Sequence, residues 1–173
     1  MTATDGLAQV NTLATHTALT VWGLGSDFLI VIILFALFFL FAYYVGRGPF
    51  VAVLLAFYAA YALYIAFPYM SYLPTAPALT ALLAHVGLYF ALTFLFYIIL
   101  RRVVVSDFLY IGLLGLFALS FLGAAFLLAL AYHVFSVTSI YHFTPVVSTL
   151  FAAKQYFFWW FVAPAIGLFF LAR

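Results

Sequence analysis

The sequence predicts an all-α, polytopic transmembrane helix bundle forming one domain, and three observations carry that expectation. Of 173 residues 71% are hydrophobic and 5% are charged, whereas a soluble domain needs about a quarter charged residues to cover its surface. The few charges divide the chain into uncharged stretches that reach or exceed the about 20 residues a helix needs to cross hydrocarbon. Prolines and polar clusters fall mostly between these stretches, where loops are expected.

Residues 1–26 are rich in Thr and Ala and contain no Lys or Arg, so they lack the positive segment of a secretory signal. They are expected to form an extramembrane segment ahead of a bundle covering 27–173. The first span is expected at 28–46, between Asp27 and Arg47. The stretch up to Arg101 is too long for one crossing, and the segment from Pro68 to Pro77, with three prolines, splits it into spans near 49–67 and 78–100. A strongly apolar run then reaches Val134, before Ser136, Thr138, Ser139, His142 and Thr144. It predicts one helix over 107–134, about 40 Å long, which must tilt or protrude. Dividing this region into two spans is the alternative and would give six instead of five. The last span is expected at 156–172, with Pro164 breaking its hydrogen-bond ladder near Trp160.

Local signals mark the boundaries. Ser26-Asp27 and Ser106-Asp107 each precede an apolar helix and read as N-caps. Thr144-Pro145 reads as a cap followed by a first-turn proline, opening a helix over about 145–154. Val146, Val147, Leu150 and Phe151 share one face of it, as in a helix on the membrane surface; a partly buried connector is the competing reading.

Five spans place Arg47, Arg101, Arg102 and Arg173 on one face and Lys154 alone on the other. The positive-inside rule then sets the N-terminus outside and the C-terminus in the cytoplasm, in a cell inner (plasma) membrane. Trp22, Trp159 and Trp160 gather at the outer edge as interfacial anchors. His16, His133 and His142 lie on that side, with His85 in the outer half of the third span.

The net charge of +2 is small and scattered, which argues against a nucleic-acid partner. The absence of Cys removes thiol chemistry, and no catalytic pattern of paired carboxylates, His-Glu-x-x-His or phosphate-binding loop is present, so no enzyme activity is expected. His85, His133 and His142 are candidate metal ligands. His85 and His133 could share a haem if the third and fourth helices pack as neighbours, whereas interfacial imidazoles bonded to water or headgroups require no cofactor, and none is expected. Tyr58, Tyr61 and Tyr64 step along the second helix as a polar pathway or as a packed aromatic seam.

Small residues at Ala52, Ala56 and Ala60, and at Gly112, Gly115, Gly123, Ala124 and Ala125, are expected helix–helix contacts, within the chain or with a copy or another membrane protein. The bilayer itself is the one certain partner of such a surface. Ser-Asp-Phe-Leu occurs at 26–29 and again at 106–109, as in an inverted repeat or as two uses of one cap. Only His85 is expected as an ionisable group inside a span, and this argues against a pump.

Asp27 opening the first span and Gly46-Arg47-Gly48 leading into the second resemble the colicin V production family of small membrane proteins, over about 27–67. The resemblance implies an inner-membrane protein linked to secretion or envelope upkeep, with no assigned chemistry. The functional expectation is a non-catalytic membrane subunit or envelope protein. The alternatives are a small channel or transporter, and a haem- or metal-binding protein built on the outer histidines.

Overall fold

The computed structural model of the chain describes residues 25–103, 111–135, 137–141 and 143–171. Trp22, His16, His142, Arg173, and Ser106-Asp107 with the second Ser-Asp-Phe-Leu copy lie outside the described residues. Helix α1 covers Gly25–Tyr44. It is followed by α2 (Arg47–Ile65), α3 (Ala78–Val103), α4 (Leu113–His133), α5 (Pro145–Phe151) and α6 (Lys154–Leu171), with single 3-10 turns at Met70–Tyr72 and Val137–Ser139. Among the described residues there is no strand. Helices α1 to α4 are each long and apolar enough to cross a membrane, which makes this an integral membrane protein of the all-α class.

The expected boundaries need three adjustments. Helix α1 is already helical at Gly25, so Ser26 and Asp27 sit in its first turn and do not precede it as a cap. Helix α4 begins at Leu113, after Gly112 in an extended conformation (φ −65°, ψ 167°). Its 21 residues span about 31 Å, close to the hydrocarbon thickness, so the tilt expected of a longer helix is not required. Helix α5 stops at Phe151, with Val147 and Phe151 buried and Val146 and Leu150 about half exposed. It is a partly buried connector.

The bundle has two central helices. Half or more of the apolar window of α2 and of α4 is buried, but less than a fifth of that of α1 and α3. Helix α3 packs chiefly against α2, and α6 against α4. Helix α1 leans on both halves, with Phe38 edge-on to Phe57 at 5.8 Å and Phe35 edge-on to Phe117 at 4.7 Å.

Small residues set the spacing at the centre. Ala52, Ala56 and Ala60 are fully buried. A Cβ on Gly123 would lie 3.0 Å from Leu54 Cδ2, and one on Gly167 would lie 2.8 Å from Leu122 Cδ1, so α4 approaches α2 and α6 at the limit of contact. In lipid, where burying apolar surface drives nothing, such close approach is what holds helices together. The expected small-residue faces therefore work within the chain, except at Gly112, around which nothing lies within 4 Å.

Helix α6 runs alongside α4 for nearly its whole length. Phe157 lies tilted against His133 at 4.7 Å at one end, and Leu171 meets Gly115 at the other. The outward faces of α1 and α3 carry Leu29, Ile33, Leu37, Leu83 and Phe94 more than half exposed. Contiguous apolar faces of this extent suit hydrocarbon and not water.

The link between α1 and α2 is two residues, and Gly46 makes it with φ 112° and ψ 164°, a conformation open essentially to glycine alone. Gly46→Ala is expected to lower stability by about 1–3 kcal/mol. Thermal unfolding in detergent, read by loss of helical circular dichroism, checks this; an unchanged midpoint would contradict the strain assigned to the turn.

Candidate functional site

The most specific polar constellation gathers at the end of the bundle where α1 begins and α4 ends. Asp27, in the first turn of α1, is only 1% exposed. Burying a carboxylate is costly unless donors meet it. Here Tyr141 Oη donates to Oδ1 at 2.9 Å, while the Thr144 amide and the Thr144 hydroxyl both donate to Oδ2 at 2.6 Å. Since the Tyr141 proton is committed to Asp27, the Ser26 hydroxyl 3.1 Å away donates to the Tyr141 oxygen. One carboxylate thus ties the start of α1 to the segment joining α4 and α5, across 117 residues of chain.

This corrects two expectations. Asp27 does not cap its own helix but bonds to a distant segment, and an ionisable group besides His85, the buried Asp27 carboxylate, lies within a span. Thr144 is the N-cap residue of α5, with extended backbone (φ −61°, ψ 156°) and Pro145 at the first helical position, as the sequence implies. Its side chain makes no cap to α5; its hydroxyl donates to Asp27.

Tyr132, on α4, belongs to the same end. Its ring packs with Phe143 at 5.0 Å and Phe151 at 6.4 Å, in a cluster that includes Val31, one turn beyond Asp27 on α1. Its hydroxyl is buried without a hydrogen-bond partner, unlike any other buried side-chain polar atom among the described residues. An unmet phenol of this kind costs about 1–3 kcal/mol.

The tyrosines of α2 form a closed seam. Tyr58 donates to the Phe161 carbonyl at 2.6 Å, beside the break that Pro164 makes in the α6 ladder. Tyr64 bonds His85 Nδ1 at 2.8 Å, and Tyr89 of α3 donates to the Phe57 carbonyl at 3.0 Å. Tyr61 lies against Phe161 at 5.0 Å and Phe157 at 6.5 Å. The Tyr58 and Tyr64 hydroxyls cross-link neighbouring helices.

The two described histidines do not share a site. His85 sits on Tyr64, between α2 and α3, whereas His133 donates through Nε2 to the Phe151 carbonyl at 2.8 Å, between α4 and α5. The packing of α3 on α2, and not chiefly on α4, separates their roles. Among the described residues no group of three or more His, Cys, Asp or Glu could hold a metal ion.

Arg47 begins α2 while Arg101 and Arg102 end α3, so these three cations share the end opposite Asp27. Lys154 opens α6 at the Asp27 end. There Trp160 donates through Nε1 to the Leu150 carbonyl at 3.0 Å and stacks on Phe151, while Trp159 is 63% exposed. Of the two tryptophans, only Trp159 is free to meet an interface; Trp160 fastens α6 to α5.

The residues that sequence reasoning missed are Tyr132, Tyr141 and the role of Thr144. The signal was the density of hydroxyl donors from Ser136 to Thr144, placed by four alternating crossings at the same end as Asp27. Asp27→Ala leaves the Thr144 and Tyr141 donors unmet and is expected to cost about 2–3 kcal/mol. Tyr132→Phe removes an unmet buried hydroxyl and is expected to be neutral or stabilising. Paired unfolding curves in detergent check both, and a destabilised Tyr132→Phe would mean that the phenol has a partner.

Comparison of the chain with family models, with curated proteins and with solved structures returns no match.

Proposed function

We propose that the chain is a multi-pass inner-membrane protein of five spans, with its N-terminus outside and its C-terminus in the cytoplasm, and that it acts without catalysis as a membrane subunit or an envelope- and secretion-related protein. The observation that carries this reading is the closed interior. Tyr58, Tyr64, Tyr89, Thr93 and Ser120 all spend their hydroxyls on backbone carbonyls or on a neighbouring helix, leaving packed rings where a pathway would run. The broad apolar faces of α1 and α3 supply the surface a membrane subunit presents to lipid or to another protein. The resemblance of residues 27–67 to the colicin V production family points the same way.

Five spans are supported by the course of α6, which accompanies α4 from His133 down to Gly115 although it has only 18 residues and opens on Lys154 and Gln155. The orientation is supported by the shared end of Arg47, Arg101 and Arg102.

A second reading, a small transporter, draws on one specific observation. Asp27 is an ionisable group buried at the end of a span beside an unmet phenol, and intramembrane carboxylates commonly mark ion or proton paths. A haem- or metal-binding protein built on His85, His133 and His142 is the reading least favoured, because the two described imidazoles have separate partners.

The absence of native Cys makes the topology directly measurable. Cysteines introduced as Arg47→Cys and Arg102→Cys are expected to react with an impermeant maleimide only from the cytoplasmic side, and His142→Cys only from outside. Opposite labelling at any of these positions overturns the orientation. Reconstituted vesicles are expected to stay sealed to protons, ions and small solutes; a flux abolished by Asp27→Asn would establish the transporter reading in place of the non-catalytic one.

A further inference from the structure

A groove of about 660 Å³ lies open between α1 and α3, running from the middle of the bundle toward the end opposite the Asp27 cluster. Leu34, Leu37 and Phe41 of α1 form one wall, Phe90 and Phe94 of α3 the other, and Val53 of α2 part of the floor. Its size falls within the range of small-molecule sites, roughly 300–1,000 Å³. A second hollow of about 430 Å³ shares Phe94 and Tyr97 with the groove and ends on Arg101 and Arg102. Phe90, Phe94, Tyr97 and Arg101 follow one stripe of α3 at helical spacing and cover about 16 Å along its axis. The stripe is apolar for two turns, amphipathic at the half-buried Tyr97, and cationic at its end.

This gradient has the polarity of one class of molecule. Both guanidinium groups are exposed, and the only acidic side chain among the described residues, Asp27, is at the other end of the bundle. We infer that the groove and the arginine pair hold an anionic phospholipid of the adjoining leaflet, its phosphate against Arg101 and Arg102 and an acyl chain between α1 and α3. Guanidinium matches the geometry of phosphate oxygens, and basic sites between transmembrane helices recognise anionic headgroups. A helix of a partner protein would fill the groove without needing cations at one end. A free phosphate would need the cations without the groove. The inference rests on the chain lying in a bilayer and is independent of which activity it carries.

The test is retention of phosphatidylglycerol by the full chain, extracted from bilayers of phosphatidylcholine doped with phosphatidylglycerol and weighed by native mass spectrometry. The wild-type chain is expected to keep phosphatidylglycerol in preference to phosphatidylcholine, a comparison that needs no variant. Arg101→Gln combined with Arg102→Gln is expected to cut that retention about tenfold. Leu37→Trp, at a position 59% exposed and lining the groove, is expected to cut it as well by filling the apolar part. Equal retention of the two lipids overturns the inference. So does full retention in Leu37→Trp, which would reduce the interaction to surface attraction, and so does displacement of the lipid by inorganic phosphate alone. Failure of the chain to insert into bilayers of pure phosphatidylcholine would instead strike at the membrane reading itself.

Discussion

A polar group taken out of water must find its partner inside the protein, and in this chain that constraint falls most heavily on the Asp27 carboxylate. The side chain is buried at the end of a membrane helix with no cation beside it among the described residues. Three hydrogen bonds from Tyr141 and Thr144 meet it. Because those donors lie more than a hundred residues away, satisfying the carboxylate also fixes where the segment after α4 must run. That segment places α5 in its shallow seat against α4, and α5 in turn receives the Trp160 bond that seats α6. The carboxylate thus anchors the segment that leads into α5, while the packing of α6 along α4 completes the second half of the bundle.

The same rule, applied to the tyrosines, explains why the interior is stitched and not hollow. Each phenol placed among apolar helices seeks the nearest acceptor, and in a bundle the exposed acceptors are irregular backbone carbonyls. Pro164 supplies such irregularity, since its missing N–H leaves the α6 ladder broken near Trp160, and the Tyr58 hydroxyl bonds the next carbonyl along, that of Phe161. The Tyr58 bond joins α2 to α6 one carbonyl away from that break. Tyr132 stands apart, and its hydroxyl beside the Asp27 cluster is, among the described residues, the one buried side-chain polar atom without a partner.

The two ends of the molecule differ in kind. The Asp27 end is closed by hydrogen bonds and ring stacking, with Trp159 and Lys154 among the residues turned outward. The other end carries Arg47, Arg101 and Arg102 and opens into an apolar groove between the two helices that are least buried. A leaflet with anionic headgroups complements the second end, and an interface met by tryptophan and water complements the first. This asymmetry is the same one on which the assignment of inside and outside depends.

Much of the architecture was legible from residues taken in order. The Pro68–Pro77 loop, the Gly46 turn, the Thr144-Pro145 start of α5 and the places of the long helices all follow from local chemistry, because hydrocarbon demands long apolar segments whose backbone bonds close within themselves. The identity of the central helices was not legible. A soluble helix betrays its buried face by apolar periodicity, but α2 and α4 are apolar all round, since lipid is as apolar as a protein core. Only the small residues of α2 and α4 hinted at the centre. The partners of Asp27, His85 and His133 were equally hidden, because each lies on an element whose neighbour is chosen by packing and not by chain order. The sequence by itself determined that the chain is a bundle of long apolar helices and where most of them turn, through the solvent that surrounds them, while it left five spans or six open; only the tertiary structure decided which polar groups meet, because those meetings join positions that nothing local connects.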